Sequence, residues 1–237
     1  MRLLILALDG LEHDLVVRWR LRGLLQSEWG RTDLSLIRAN SPYPCTPEIW
    51  ATFLSGRFAR RVEHPGSTFL ALADRWAVLG LPGLVRDIWP DHRALVDLLG
   101  AVLDGRSGAK GFVRACRLHA LRRMAQAIRT AGARRPDLLI AYWPEPDLLG
   151  HLLLKDEGAM RWAYGMVERI VARVKGALRP DYTLVISDHG MAPASSGPKV
   201  GEHTWHGFWS LEPPIGLHGK EIRIEDFSTM ISGLLLG

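Results

Sequence analysis

Thr183-Leu-Val-Ile-Ser-Asp-His-Gly-Met191 decides the fold: a run suited to an interior strand leads directly into a carboxylate and an imidazole. Short segments rich in Leu, Ile and Val read as strands buried on both faces of a parallel sheet. The same pattern occurs twice more, where Leu3 to Leu8 stops at Asp9 and where Leu138 to Trp143 is soon followed by Asp147. Open α/β sheets bind ligands beyond the carboxyl ends of their strands, so three acids placed there are expected to converge on one site. Two of them travel with histidine, as Asp147-Leu-Leu-Gly-His151 and as Asp188-His189. Carboxylate together with imidazole is a donor set for a divalent transition metal.

The rest of the chain supplies helices around these strands. A helix is expected over Leu11 to Leu25 and a second strand over Asp33 to Arg38. Ser41-Pro-Tyr-Pro-Cys-Thr46 reads as a loop, because its two prolines exclude regular helix or central strand. Helical character resumes from Pro47 to Leu54 and stops at Ser55-Gly56. Residues 57–136 read as packing elements: turns near Gly80 to Gly83, a helix from Asp91 to Leu103, an arginine-bearing helix from about Val113 to Thr130, and one connection long enough to shape a pocket. From Pro136 a strand, a helix over Glu157 to Leu178, a strand over Tyr182 to Ser187, a strand near Phe208 and a last helix from Glu225 follow in turn. This alternation predicts an α/β fold with a layered, mostly parallel central sheet and helices on both faces. One domain spanning residues 1–237 is expected.

Composition narrows the partners. No apolar run reaches the roughly 18 to 20 residues that span a bilayer, so no membrane partner is expected. The apolar N-terminal run is too short for a signal peptide and breaks at Asp9, which predicts a cytoplasmic protein. Cys45 and Cys116 are the only cysteines, too few for a disulfide framework or a cysteine-ligated zinc. The net charge of +5 rests largely on arginine, with Arg117, Arg122, Arg123, Arg129, Arg134 and Arg135 in one stretch. Such charges can bind a nucleic-acid backbone, although a solvated cationic helix face, which needs no partner, is the preferred reading. Asn40 is the sole asparagine, and Gln26 and Gln126 are the sole glutamines. That depletion of thermolabile amides is a trait of heat-adapted proteins.

Several residues carry candidate chemistry. Thr46, Pro47 and Glu48 stand in the order of an N-cap, a proline at the first helical position and a first-turn acid. A hydroxyl at a helix N-terminus lies where an anion is favoured, and metal coordination would ease loss of its proton and make it a nucleophile. Asp147 and His151, four residues apart, share a face if the segment is helical. Taken singly, Asp147 could equally cap a helix and His151 be a buried, satisfied histidine. Asp188 and His189 sit where the chain turns at a strand end, so both can reach one centre. Gly201-Glu-His203-Thr-Trp-His206-Gly207 offers two more histidines, one of which completes the ligand set. His13, His64, His92, His119 and His218 are expected mostly at the surface. Trp50, Trp143, Trp205 and Trp209 flank the site, with core packing preferred over stacking on a base.

Leu8-Asp9-Gly10, Pro44-Cys-Thr46-Pro-Glu-Ile-Trp50-Ala-Thr52-Phe-Leu-Ser55-Gly56, Asp147-Leu-Leu-Gly150-His151, Ser187-Asp188-His189-Gly190-Met191 and Gly201-Glu-His203-Thr-Trp-His-Gly207 together resemble the alkaline phosphatase superfamily. Within it they are most similar to the type I phosphodiesterase/nucleotide pyrophosphatase branch. The resemblance implies an alkaline-phosphatase-like three-layer sandwich and two divalent ions, with zinc suited to the ligands and manganese as the alternative. By resemblance, Asp9, Thr46, Asp188 and His189 would hold one ion, and Asp147, His151 and a third histidine the other. The family's His-x-x-x-Gly spacing selects His203 for that place, whereas a His-Gly form would select His206. In sulfatases of the same superfamily the nucleophilic position precedes the closing glycine by ten, and by that resemblance Gly56 points to Thr46 rather than Cys45. The sulfatase arginine is absent, since Ile49 and Trp50 occupy its area.

The implied reaction is two-step phosphoryl transfer through a phosphothreonine on a small phosphorylated substrate, a phosphodiester or nucleotide-like pyrophosphate. Phosphomonoester or phosphonate hydrolysis on the same core is the nearest alternative. A non-catalytic metal-binding or nucleic-acid-binding module is the more distant one. Two departures stand out: the branch's asparagine after the nucleophile is missing, and the chain lacks room for the large cap of phosphoglycerate mutase relatives.

Overall fold

The computed structural model describes residues 1–84 and 90–237, with the backbone alone at residues 90 and 91. The strands are β1 (Leu3–Leu8), β2 (Glu28–Asp33), β3 (Trp76–Leu79), β4 (Leu138–Trp143), β5 (Tyr182–Ile186), β6 (Met191–Pro193), β7 (Gly201–His203), β8 (His206–Glu212) and β9 (Ile222–Arg223). The helices are α1 (His13–Arg18), α2 (Ser35–Arg38), α3 (Thr46–Ser55), α4 (Pro90–Leu103), α5 (Ala109–Arg134), α6 (Glu145–Leu153), α7 (Glu157–Leu178) and α8 (Asp226–Leu236). Seven strands form one sheet in the order β3-β4-β1-β5-β8-β2-β9, and β6 with β7 forms a separate antiparallel ribbon. Strands β3, β4, β1 and β5 are mutually parallel, while β8 runs antiparallel to both β5 and β2.

Every residue of β1 and β4 is buried, as expected of central strands covered on both faces. Alternation divides them between two cores. Leu4, Leu6 and Leu8 with Leu139, Ala141 and Trp143 pack toward α5 and α7, whereas Leu3, Ile5 and Ala7 with Leu138, Ile140 and Tyr142 pack toward α3 and α8. Each such aliphatic side chain contributes roughly 1.5 to 3 kcal/mol on burial. A charge at Ile5 would therefore break the sheet at its centre. The result is an alkaline-phosphatase-like three-layer sandwich: helices, mixed but mostly parallel sheet, helices.

Several elements differ from expectation. The helix expected over Leu11 to Leu25 is confined to α1, and the chain leaves it through Arg20 at a left-handed φ of 50°. The strand expected over Asp33 to Arg38 lies one element earlier, as β2. Asp33 ends that strand and starts α2, its Oδ1 accepting from the Ser35 amide at 2.9 Å and its Oδ2 from the Ser35 hydroxyl at 2.7 Å. The segment 57–136 contains an edge strand as well as packing helices, because β3 pairs with β4. The pocket-shaping connection expected in that segment falls partly on residues 85–89, outside the described residues. The arginine-bearing helix is longer than expected, Ala109–Arg134, and its face is not wholly solvated, since Arg123 is buried. Among the described residues no helix is long and apolar enough to cross a membrane.

Candidate metal centre

The carboxyl ends of β1, β4 and β5 share one edge of the sheet, and the antiparallel β8 brings its own beginning to that edge. Asp9 follows β1, Asp147 lies in the first turn of α6 just after β4, and Asp188 and His189 follow β5. His203 ends β7, which the short turn at Thr204 and Trp205 joins to β8. Gly10 permits the approach of Asp9 and Asp147. It adopts a left-handed φ of 67°, and a β-carbon there would lie 2.6 Å from the Asp147 Cα, so any side chain would force Asp9 and Asp147 apart.

Two clusters result. In the first, His189 Nε2 lies 3.2 Å from Asp9 Oδ1 and 3.4 Å from Asp188 Oδ2, and Thr46 Oγ1 lies 3.2 Å from the same nitrogen. In the second, Asp147 Oδ1 lies 3.1 Å from His203 Nε2 and 3.3 Å from His151 Nε2. The clusters adjoin through the rings of His189 and His203, stacked with centroids 3.7 Å apart. Lys199 Nζ stands 3.1 Å from His151 Nε2.

The donor chemistry fits divalent cations. Asp9 Oδ1, Asp147 Oδ1 and Asp188 Oδ2 are buried without a hydrogen-bond partner, an arrangement that costs free energy unless a cation meets them. All three imidazoles are held the same way. His151 Nδ1 faces the Gly201 carbonyl at 2.8 Å, His189 Nδ1 that of Gly190 at 3.0 Å and His203 Nδ1 that of Pro44 at 3.0 Å. Each Nδ1–H donates outward, which fixes the tautomer and leaves the Nε2 lone pair pointing inward, the arrangement that orients ligating histidines.

Electrostatics follow from this crowding. Burial opposes ionisation of Asp147, but the imidazoles of His203, His151 and His189 outweigh it and hold the carboxyl below the usual range. Burial and the charge of Asp9 both push Asp188 well above that range. Burial lowers His151. His189 is also penalised by burial, yet its contact with Asp9 raises it.

The sequence candidates Asp9, Thr46, Asp147, His151, Asp188, His189 and His203 are all brought together here. His206 is not: its Nε2 pairs with Glu12 Oε1 at 3.0 Å, outside both clusters. Thr46 does not act as an N-cap. Cys45 holds that position, and its carbonyl accepts from both the Glu48 and Ile49 amides at 3.0 Å. The Thr46 hydroxyl is thereby left to face His189, while the Glu48 and Ile49 amides are taken by the Cys45 carbonyl and Pro47 has no N–H to offer. His119 is buried, paired through Nδ1 with Glu145 Oε1 at 2.5 Å, and His92 packs beside the Tyr142 ring; neither is the surface histidine expected. Trp50, Trp143 and Trp209 are fully buried core residues.

Sequence reasoning overlooked Tyr142 and Lys199. Tyr142 donates its hydroxyl to Asp9 Oδ2, and burial, with the Asp9 charge added, keeps that phenol protonated. Its facing depends on the register that sets Ala7 opposite Tyr142. Lys199 lies in a Ser/Gly/Pro loop with no motif around it.

Residues 48–208 match the type I phosphodiesterase/nucleotide pyrophosphatase family. No curated protein matches the sequence. Among solved structures, a mutant TAB5 alkaline phosphatase with magnesium bound superposes with a TM-score of 0.62 at 8% identity, covering 98% of this chain and 97% of that one. A 2-O GAG sulfatase superposes at 0.58 with 12% identity, covering 98% and 70%. The chain spans 59% of the murine ectonucleotide pyrophosphatase/phosphodiesterase 5 structure, at a TM-score of 0.46, 12% identity and 83% of this chain. The superpositions above 0.5 establish the shared fold. The family match covers more than half of the chain, and on that ground the chain belongs to the type I phosphodiesterase/nucleotide pyrophosphatase family of phosphoester hydrolases.

Proposed function

We propose that the chain hydrolyses phosphodiesters or nucleotide-like pyrophosphates with Thr46 as nucleophile and two divalent ions, zinc or manganese, as cofactors. The observation that carries this reading is the position of Thr46 Oγ1, 3.2 Å from His189 Nε2 at the edge of buried carboxylates that lack partners. Asp9, Thr46, Asp188 and His189 would hold one ion, and Asp147, His151 and His203 the other. Bound there, the ions supply positive charge against the phosphate oxygens and the leaving oxygen, and ease ionisation of a coordinated hydroxyl.

The protein's own residues perform the rest. Thr46 Oγ, having lost its proton to solvent, attacks phosphorus as the P–O bond to the leaving group breaks, giving a phosphothreonine and an alkoxide or phosphate that takes up a proton from water. Water then attacks that phosphorus, the Thr46 Oγ–P bond breaks, and the hydroxyl is restored. Helix α3 fixes the attacking oxygen, because Thr46 is its first residue and Pro47 removes one backbone freedom beside it. Lys199 places a further positive charge next to the second cluster for a substrate oxygen. Stabilisation of the developing charge falls chiefly on the cations and on Lys199.

The test is hydrolysis of bis-p-nitrophenyl phosphate against p-nitrophenyl phosphate after metal removal and restoration of zinc, manganese or magnesium. Metal-dependent turnover favouring the diester is expected, and monoester preference would move the chain to the phosphatase alternative. Thr46→Ala should lower turnover by about 10⁴-fold or more, the order seen on removing a hydrolase nucleophile, with metal content unchanged. Undiminished turnover would remove Thr46 from that role.

A further inference from the structure

On the face of α5 and α7 away from the sheet lies a groove of about 430 Å³. Its floor is apolar: Leu121 and Met124 from α5, Met166 and Ile170 from α7. At its mouth Trp162 and Leu121 keep 38% and 39% of their surface exposed, unusual for large apolar side chains. Its rim is cationic. Arg117, Arg169 and Arg173 line it, all three are exposed, and none forms an ion pair among the described residues. Glu168, next to Arg169 in sequence, is instead turned to the Gly23 amide, from which it accepts at 2.8 Å.

The spacing is helical on both walls. Arg117, Leu121 and Met124 stand at i, i+4 and i+7, and Trp162, Met166, Arg169 and Arg173 at i, i+4, i+7 and i+11, so each set occupies one helix face. Eleven residues span about 16 Å, three turns of an α-helix. We propose that this groove docks an acidic amphipathic helix of a partner protein, its apolar stripe against the methionine-bearing floor and its carboxylates against the three arginines.

Other anionic partners fit less well. The groove is concave, whereas a lipid surface is flat. A single-stranded nucleic acid would need stacking platforms, and Trp162 is the one aromatic ring in the groove. A concave apolar floor lined with methionine is the surface on which helix-in-groove recognition occurs. This inference stands apart from the hydrolase reading, since none of these residues belongs to the metal centre.

The test uses the full chain and a fluorescent synthetic helix of about four turns, with leucines at i, i+3, i+7 and i+10 and glutamates on both flanks. Fluorescence anisotropy should show saturable binding that weakens at least about tenfold in the Arg169→Glu, Arg173→Glu double variant and falls with added salt. A second variant, Trp162→Ser, should weaken it without removing charge, and diester hydrolysis should stay unchanged in both. A peptide of the same composition with its leucines scrambled should bind poorly. The proposal is overturned if the scrambled peptide binds equally, if charge reversal has no effect, or if vesicles of phosphatidylserine and phosphatidylcholine or an oligothymidylate bind while the acidic helix does not.

Discussion

The start of β2 and the metal centre both bury carboxylates, and they treat them in opposite ways. Glu28, at the start of β2, is buried and fully answered by the backbone: its oxygens accept from the amides of Ile215, Gly216 and Leu217 at 2.8, 2.6 and 2.8 Å. Asp9, Asp147 and Asp188 are equally buried, yet each keeps an oxygen without a partner. The contrast teaches that Glu28 serves the structure, clamping the loop after β8, while the three aspartates keep oxygens open toward the cations proposed above.

The widest separation between the regions should come from histidine replacement at the centre. His203→Ala is expected to weaken binding at the second ion by at least about 100-fold, exceeding the 10- to 100-fold range typical of outer-shell changes, and to lower hydrolysis with it. His206→Ala removes only a partner of Glu12 and should leave metal content intact. Isothermal titration with zinc on both variants reads the difference directly, and equal losses would erase the distinction between the two histidines.

Tyr142→Phe sharpens the comparison at the next level. It removes the hydroxyl that donates to Asp9 Oδ2 while leaving every proposed ligand in place. Metal affinity or turnover should fall by about 10- to 100-fold, with thermal stability nearly preserved because the ring still packs against Trp50. Unaltered metal affinity would show that Asp9 needs no positioning.

Glu28→Gln should do the reverse, costing about 2 kcal/mol of stability through lost charged hydrogen bonds while leaving kcat unchanged. Burial works against its ionisation, but the Ile215, Leu217 and Gly216 amides outweigh that and hold it below the usual glutamate range. Its stabilisation is therefore complete above the unfolded-state value and is lost as pH falls through the lower folded-state value. Urea melts across that acidic window should show a shallower pH dependence in Glu28→Gln than in the parent. Identical slopes would mean that Glu28 does not carry the acid sensitivity assigned to it.

The sequence was most legible where local chemistry and position coincide. β1, β4 and β5 are largely apolar runs, and Asp9, Asp147, Asp188 and His189 follow their ends within a few residues, so one rule about sheet ends gathers them. Strand β2 escaped because its inward residues are Glu28, Gly30 and Thr32, which satisfy the alternation of a strand without its hydrophobicity. Thr46 was found as a residue but misplaced by one helical position, since a cap depends on the φ,ψ of Cys45 rather than on side-chain type. Tyr142 and the His119–Glu145 pair arise from tertiary register, which no local pattern encodes.

The account's central claim is that the two adjoining clusters hold two divalent ions. Native mass spectrometry of the chain reconstituted with zinc tests it most directly. Two ions per chain are predicted, with chelation removing both and abolishing diester hydrolysis. A chain that saturates with one ion or none while still hydrolysing the diester would contradict it.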